Sequence, residues 1–254
     1  MRKIPTLITL SKPSTLLIMW VCFFPNSLLA QSSLISNVIE DYNFSYSVME
    51  VGHNNSEVLE QARQIVLSAA AEHKALHYAT WSSVEKPVDA PFAGLLSNQM
   101  GLMVAWPKET TVSIEVLDDV LGSLDSVSMV SNRLFEAIYL PAGLNVPTKT
   151  GFYVHREEEY LVENVDEAVR LSKEAWVTWE PYWKVRVIGL FRELGLTDGY
   201  ENLNRIVWYP SFDDWSRTRN FAEDKESASR FRQRRTLLKQ GSGLAIATNR
   251  EVDE

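Results

Sequence analysis

The chain of 254 residues contains one cysteine, Cys22, and no apolar run long enough to span a bilayer as a helix. Cys22 lies in the stretch Thr15 to Phe24, about ten residues where a membrane helix needs roughly 20. Arg2, Lys3 and Lys12 precede that stretch without an acidic residue, and Pro25-Asn26 and then Ala30 follow it. This order predicts a secretory signal peptide over residues 1–30, cut after Ala30. The neighbours Met19-Trp20-Val21 match a lipoprotein signal poorly. On this reading the mature chain has no cysteine, which excludes disulfides, thiolate metal sites and a cysteine nucleophile. A cysteine-free exported chain of ordinary size suits a periplasmic or secreted protein.

Positive charge is also scarce. Lys and Arg number 25 against 33 Asp and Glu, a net charge of −8. Loss of Arg2, Lys3 and Lys12 takes the net charge to −11. An acidic protein of this kind excludes nucleic acid and, after signal cleavage, a membrane surface as natural partners. The sequence holds no G-x-S-x-G elbow, P-loop, G-x-G-x-x-G, H-E-x-x-H or EF-hand loop, so common hydrolase, nucleotide and calcium chemistries lose support. It does hold eight Trp and a hydrophobic fraction of 45%, ample for a packed core.

One phrase occurs twice. Val104-Ala105-Trp106-Pro107 and Val207-Trp208-Tyr209-Pro210 are each an apolar strand ending in an aromatic and a proline, followed by a helix-like stretch. Around each copy the pattern reads as β-α-β-β-α-β. In the first half, strands are expected over Tyr42–Val48, Leu76–Val84, Leu102–Trp106 and Arg133–Leu140, with helices after Asn55 or Ser56 and over Ser113–Leu124. Pro141 to Thr150 has the composition of a linker. In the second half, strands are expected over Gly151–Tyr160, Asn204–Tyr209 and Gly243–Asn249. A long helix is expected from Asn164 or Asp166 to about Leu194, with shorter ones over Phe212–Phe221 and Ser227–Lys239. The domain organisation is therefore signal peptide 1–30, a first ferredoxin-like domain 31–142 and a second over 143–254. The fold class is α+β: two tandem ferredoxin-like βαββαβ units packing sheet to sheet as a pseudo-dimeric α/β barrel.

The run Ile206-Val207-Trp208-Tyr209-Pro210-Ser211-Phe212-Asp213-Asp214-Trp215, with the basic helix Arg217 to Lys239 behind it, resembles the dimeric α/β barrel superfamily and, within it, the NIPSNAP-like branch. The resemblance is stronger over Thr150–Glu251; in the first half Lys108-Glu109 replaces the Ser-Phe pair. The resemblance implies the fold and leaves two readings of function: an exported small-molecule-binding protein, or a monooxygenase-like or haem-dependent enzyme of the same fold. Relatives of this fold include cofactor-free monooxygenases, haem-binding enzymes and members without known activity, so the cofactor is left open, with haem one implied choice. Homodimerisation is also compatible with the fold.

Alternation over Phe152–Glu157 puts Tyr153, His155 and Glu157 on one side and Phe152 and Val154 on the other. His155 is the candidate catalytic residue, as a general base or an axial ligand. Tyr153, Trp176, Trp179, Trp208 and Tyr209 are the candidate walls of a pocket for a small apolar or aromatic ligand. Pro181 is expected to kink the helix beside those tryptophans. His73 and His77 have the spacing of two metal ligands, but the helix carrying His73 is expected to stop between them, and no metal site is assigned. The arginines between Arg217 and Arg235, and Glu157-Glu158-Glu159, read as solvated surface.

Overall fold

The computed structural model describes residues 39–52, 56–85, 90, 93–109, 117, 119–120, 124, 126–145, 150–196, 198–220 and 223–239, and the backbone path of 244–250. The expected signal peptide and Cys22 lie outside the described residues. So do most of the Ser113–Leu124 helix and the turns at 53–55 and 241–243.

Nine strands are described: β1 Tyr42–Val51, β2 Leu76–Ser82, β3 Ala93–Gly94, β4 Gln99–Pro107, β5 Val127–Tyr139, β6 Phe152–Leu161, β7 Arg186–Glu193, β8 Tyr200–Tyr209 and β9 Leu244–Arg250. The α-helices whose full extent lies among the described residues are α1 Ser56–Glu72, α2 Val165–Trp183, α3 Phe212–Arg217 and α4 Lys225–Arg235. The strands form one sheet in the order β2-β4-β1-β5-β7-β8-β6-β9, and β9 returns to pair with β2 at Trp81–Arg250 and Ser82–Asn249. The sheet thereby closes into a barrel. Short β3 runs parallel to β9. Closure satisfies backbone groups that a lone four-stranded sheet would leave at its edges. The two halves, β1–β5 and β6–β9, meet along the β5–β7 and β2–β9 seams.

Side chains alternate between the barrel interior and the helix-covered outside. Phe44, Tyr46, Tyr78, Trp81, Phe135, Tyr153, Phe191 and Ile206 fill the interior. On α1 the buried positions Leu59, Ala62, Val66 and Ala70 repeat at helical spacing and cover Met49, Leu102, Val104 and Trp106 on the outside of the first half. On α2, Val165, Ala168, Val169, Trp176, Trp179 and Trp183 do the same over Val154, Val187, Leu203 and Val207. Each fully buried large side chain contributes roughly 1.5–3 kcal/mol.

The strand registers reveal an internal two-fold repeat. Asn43 pairs with Trp106 as Phe152 pairs with Tyr209, so Tyr46 and His155, each three residues further on, hold equivalent places. β2 and β7 carry the same register shift, between His77 and Ala79 and between Val187 and Gly189. α1 and α2 are each followed by a lysine in the left-handed conformation, Lys74 at φ 58° and Lys184 at φ 56°. Behind each cap a backbone bond closes the turn, Ala75 N–H to Ala70 O at 3.0 Å and Val185 N–H to Glu180 O at 3.2 Å.

One expectation about the helices needs correction, and one strand departs from simple alternation. The long helix does not reach Leu194; it ends at Trp183, and Arg186–Glu193 is strand β7. Lys184 makes the stop, so no glycine marks it, and Val187, Ile188, Leu190 and Phe191 then pack as a strand. Pro181 sits in the last turn, where it removes the helix bond to the Val177 carbonyl. In β2, Tyr78, Ala79 and Trp81 all belong to the interior cluster, because the shift at His77–Ala79 breaks the expected alternation.

At the head of β6, a Cβ on Gly151 would lie 2.1 Å from Trp208 Nε1 and 3.0 Å from the Tyr209 carbonyl oxygen. Gly151→Ala therefore forces Trp208 aside. We expect a loss of about 1–3 kcal/mol in chemical denaturation together with a shifted tryptophan emission. An unchanged midpoint and spectrum would show that this corner yields freely.

Candidate functional site

The predicted site residues divide between the two faces of the sheet. Tyr153, His155 and Trp208 belong to the inner face, and Trp176, Trp179 and Tyr209 to the outer face of the second half. His155 faces the barrel interior and is 0% exposed. Its ring lies 4.5 Å from Trp81, edge-on, and 5.3 Å from its counterpart Tyr46. Burial pushes its pKa from 6.5 down to about 3, so the imidazole is neutral. It lines neither the cavity beside Trp176 and Trp179 nor the grooves beside Pro181 and α1.

The outer face is different. Trp176, Trp179 and Tyr209 line a cavity of about 230 Å³ between the β6–β8 surface and helices α2 and α4. Trp179 meets Tyr209 at 6.1 Å and Phe231 at 5.7 Å, both edge-on. Arg156 from β6, Arg205 from β8, Arg219 after α3 and Arg234 from α4 enter the same cavity, where Glu158 is the one carboxylate. Larger grooves exist. One of about 680 Å³ lies at a barrel end by Pro141, Pro181 and Trp208, and one of about 510 Å³ lies beside α1. In the first, Glu180 is already engaged by the Val187 N–H at 2.7 Å. The smaller cavity concentrates the buried charge and the aromatic rings, which is the chemistry a binding site needs.

Glu158, 4% exposed, organises the cluster. It accepts a hydrogen bond from Arg234 Nη2 at 3.1 Å and from the Tyr160 hydroxyl at 2.9 Å. Arg156 Nε stands 3.2 Å away and Arg205 Nη2 3.8 Å. Burial alone would raise its pKa, but the three guanidiniums, aided by Tyr160, hold it at about 2. Arg234 also donates to Ser172 Oγ at 3.1 Å, tying α4 to α2. Burial, reinforced by Arg234 and Arg156, lowers Arg205 to about 10. Burial likewise raises the Tyr209 phenol, although Arg219, Arg205 and Arg156 pull it the other way. Positive charge is in excess throughout.

Sequence reasoning missed these residues. The arginine stretch is not uniformly solvated: Arg217, Arg232 and Arg235 are exposed, whereas Arg234 is buried and Arg219 is largely covered. Nor is Glu157-Glu158-Glu159 an exposed strand end, since Glu158 is buried beneath α4. The signal was present in the alternation already used for His155. If Phe152 and Val154 face the helices, so do Arg156 and Glu158, and charges on a covered face demand a reason.

Among the described residues no group of three or more metal-ligating side chains is found. His73 stands at the end of α1, and His77 on β2 bonds Thr80 Oγ1 at 2.9 Å. The cavity wall contains no His, Cys or Met, and His155 in the barrel interior is packed between rings. These residues do not fit a histidine-ligated haem.

No family model matches the chain, and no curated protein is significantly similar to it. Solved structures are. A mutant chlorite dismutase from Candidatus Nitrospira defluvii is 11% identical, with 83% of this chain and 91% of that one covered and a TM-score of 0.52. A further mutant of that protein, in complex with cyanide, is 11% identical at 0.51, with 85% and 94% covered. An anthrone oxidase-like protein is 13% identical at 0.49, with 84% and 93% covered. The chain shares their fold, a dimeric α/β barrel. At these identities the likeness extends to the fold alone.

Proposed function

We propose that this protein is an exported small-molecule-binding protein of the dimeric α/β barrel type, whose ligand sits in the outer cavity of its second half. The observation that carries the reading is a difference between equivalent places in the repeat. By register, Ser47, Met49, Leu102 and Trp106 of the first half correspond to Arg156, Glu158, Arg205 and Tyr209 of the second. Met49, Leu102 and Trp106 form ordinary apolar core under α1. The same scaffold is therefore stable without charges there, and buried ions are a costly substitute for apolar packing. A cavity walled by Trp176, Trp179 and Tyr209 explains why the second half keeps them.

The Ser211-Phe212 corner supports placing the second half with the NIPSNAP-like branch: Pro210 ends β8, and Ser211 Oγ accepts from the Asp214 N–H at 3.1 Å to start α3. An enzyme of the same fold is the second reading, favoured by the likeness to a chlorite dismutase. In that case the outer cavity, rather than His155, is where its substrate binds.

Calorimetric titration with small two-ring aromatic compounds tests the proposal. Saturable one-to-one binding is expected, weakened about tenfold in Trp179→Leu by loss of an aromatic wall. Failure of every compound to saturate by about 1 mM, where binding free energy is only ~4 kcal/mol, or equal binding to the variant, would refute it.

A further inference from the structure

The cavity holds more hydrogen-bond donors than its own residues satisfy. The Arg205 side chain is buried and makes no hydrogen bond to a described residue; its one ionic contact among them is Glu158 at 3.8 Å. Trp176 Nε1 is buried without a hydrogen-bond partner, as is Arg234 Nε. Arg219, which donates to Thr218 Oγ1 at 2.9 Å and lies 5.1 Å from the Trp215 ring centroid, adds a further guanidinium to the wall. Glu158 is already shared among Arg234, Arg156 and Tyr160. A buried donor without an acceptor is costly, and a buried guanidinium without a counter-charge more so. The missing complement is an acceptor-rich anionic group reaching Arg205 and Trp176, with its body against Trp179, Tyr209 and Phe231. Those three rings are apolar walls suited to a flat hydrocarbon.

We infer that the ligand of this cavity is an aromatic carboxylate, its acid group held by Arg205 and Trp176 Nε1 and its ring system by Trp179 and Tyr209. This rests on the binding reading above and specifies its ligand class. A planar carboxylate suits a guanidinium fork, which donates two parallel bonds.

The test compares naphthoic acid with naphthalenemethanol, which has the same ring system and no charge, by calorimetric titration of the full-length protein at neutral pH. The acid should bind about tenfold or more tightly than the alcohol. Arg205→Met should remove that preference and leave the affinity for the alcohol unchanged. Trp176→Phe, which keeps a ring and removes one donor, should weaken the acid several-fold, and serves alone if Arg205→Met does not fold. Equal affinities for acid and alcohol would overturn the carboxylate assignment and leave the aromatic cavity standing. A preference that survives in every folded variant would overturn the assignment of these donors. If neither compound binds, both the assignment and the cavity reading fall.

Discussion

Replacing Glu158 with Gln lowers the unfolding free energy by about 3–5 kcal/mol, the cost of stranding buried guanidiniums by removing their partner. Arg156, Arg205 and Arg234 all lie within 4 Å of the Glu158 carboxylate in the wild-type protein. Gln retains the shape and an acceptor oxygen, so the loss reports the charge. The repeat supplies the complementary experiment. Arg156→Ser, Glu158→Met and Arg205→Leu together install the first-half residues at these places, and Arg234→Met removes the remaining buried cation. This fourfold variant should be as stable as the wild type or more so, by about 1–4 kcal/mol, yet lose the preference for a carboxylate in the outer cavity. Denaturant titrations of both variants decide the matter. A wild-type midpoint for Glu158→Gln would mean that the cluster is solvated, and the argument from the repeat would fail with it. The carboxylate also predicts acid sensitivity. Its pKa falls from an ordinary 4.5 to about 2 on folding, so its stabilisation is complete above pH 4.5 and disappears as the pH falls through about 2.

The fold was legible because period and punctuation agree. Phe44, Tyr46 and Val48 alternate into the interior, α1 carries a helical stripe, and Pro107 and Pro210 end equivalent strands. What was hidden follows from the same physics. Strand β7 was hidden because a lysine, not a glycine, takes the left-handed position after Trp183. The inward turn of both Tyr78 and Trp81 comes from a register shift that composition does not encode. The site was half legible. Aromatic spacing on α2 picked out Trp176 and Trp179, while their charged neighbours come from β6, β8 and α4, far apart in the chain. Alternation put Tyr153 and His155 on one side of β6 without saying which, and that side is a packed interior of rings.

His155 makes the protein lose stability in mild acid, at about 1.4 kcal/mol for each pH unit below 6.5. Its pKa is lowered to about 3 in the folded protein by burial. Between these values the unfolded chain binds a proton that the folded chain refuses. The contribution is therefore fully present above pH 6.5 and is lost as the pH falls toward 3. From pH 6.5 to 4.5 the imidazole dominates over Glu158, because at pH 4.5 the Glu158 carboxyl of the unfolded chain is only half protonated. A difference of ~3 kcal/mol across those two units is a large part of the 5–15 kcal/mol that holds a typical domain folded. Denaturation midpoints measured from pH 7.5 downward should fall steadily in the wild type and stay level in His155→Phe, whose ring fits between Tyr46 and Trp81 without titrating. Tyr46→Phe is the control. It removes a buried hydroxyl with no hydrogen-bond partner among the described residues, so it should be neutral or stabilising at every pH and keep the slope. If His155→Phe retains the slope, the interior admits water to the imidazole, and the barrel is more open than its packed rings imply.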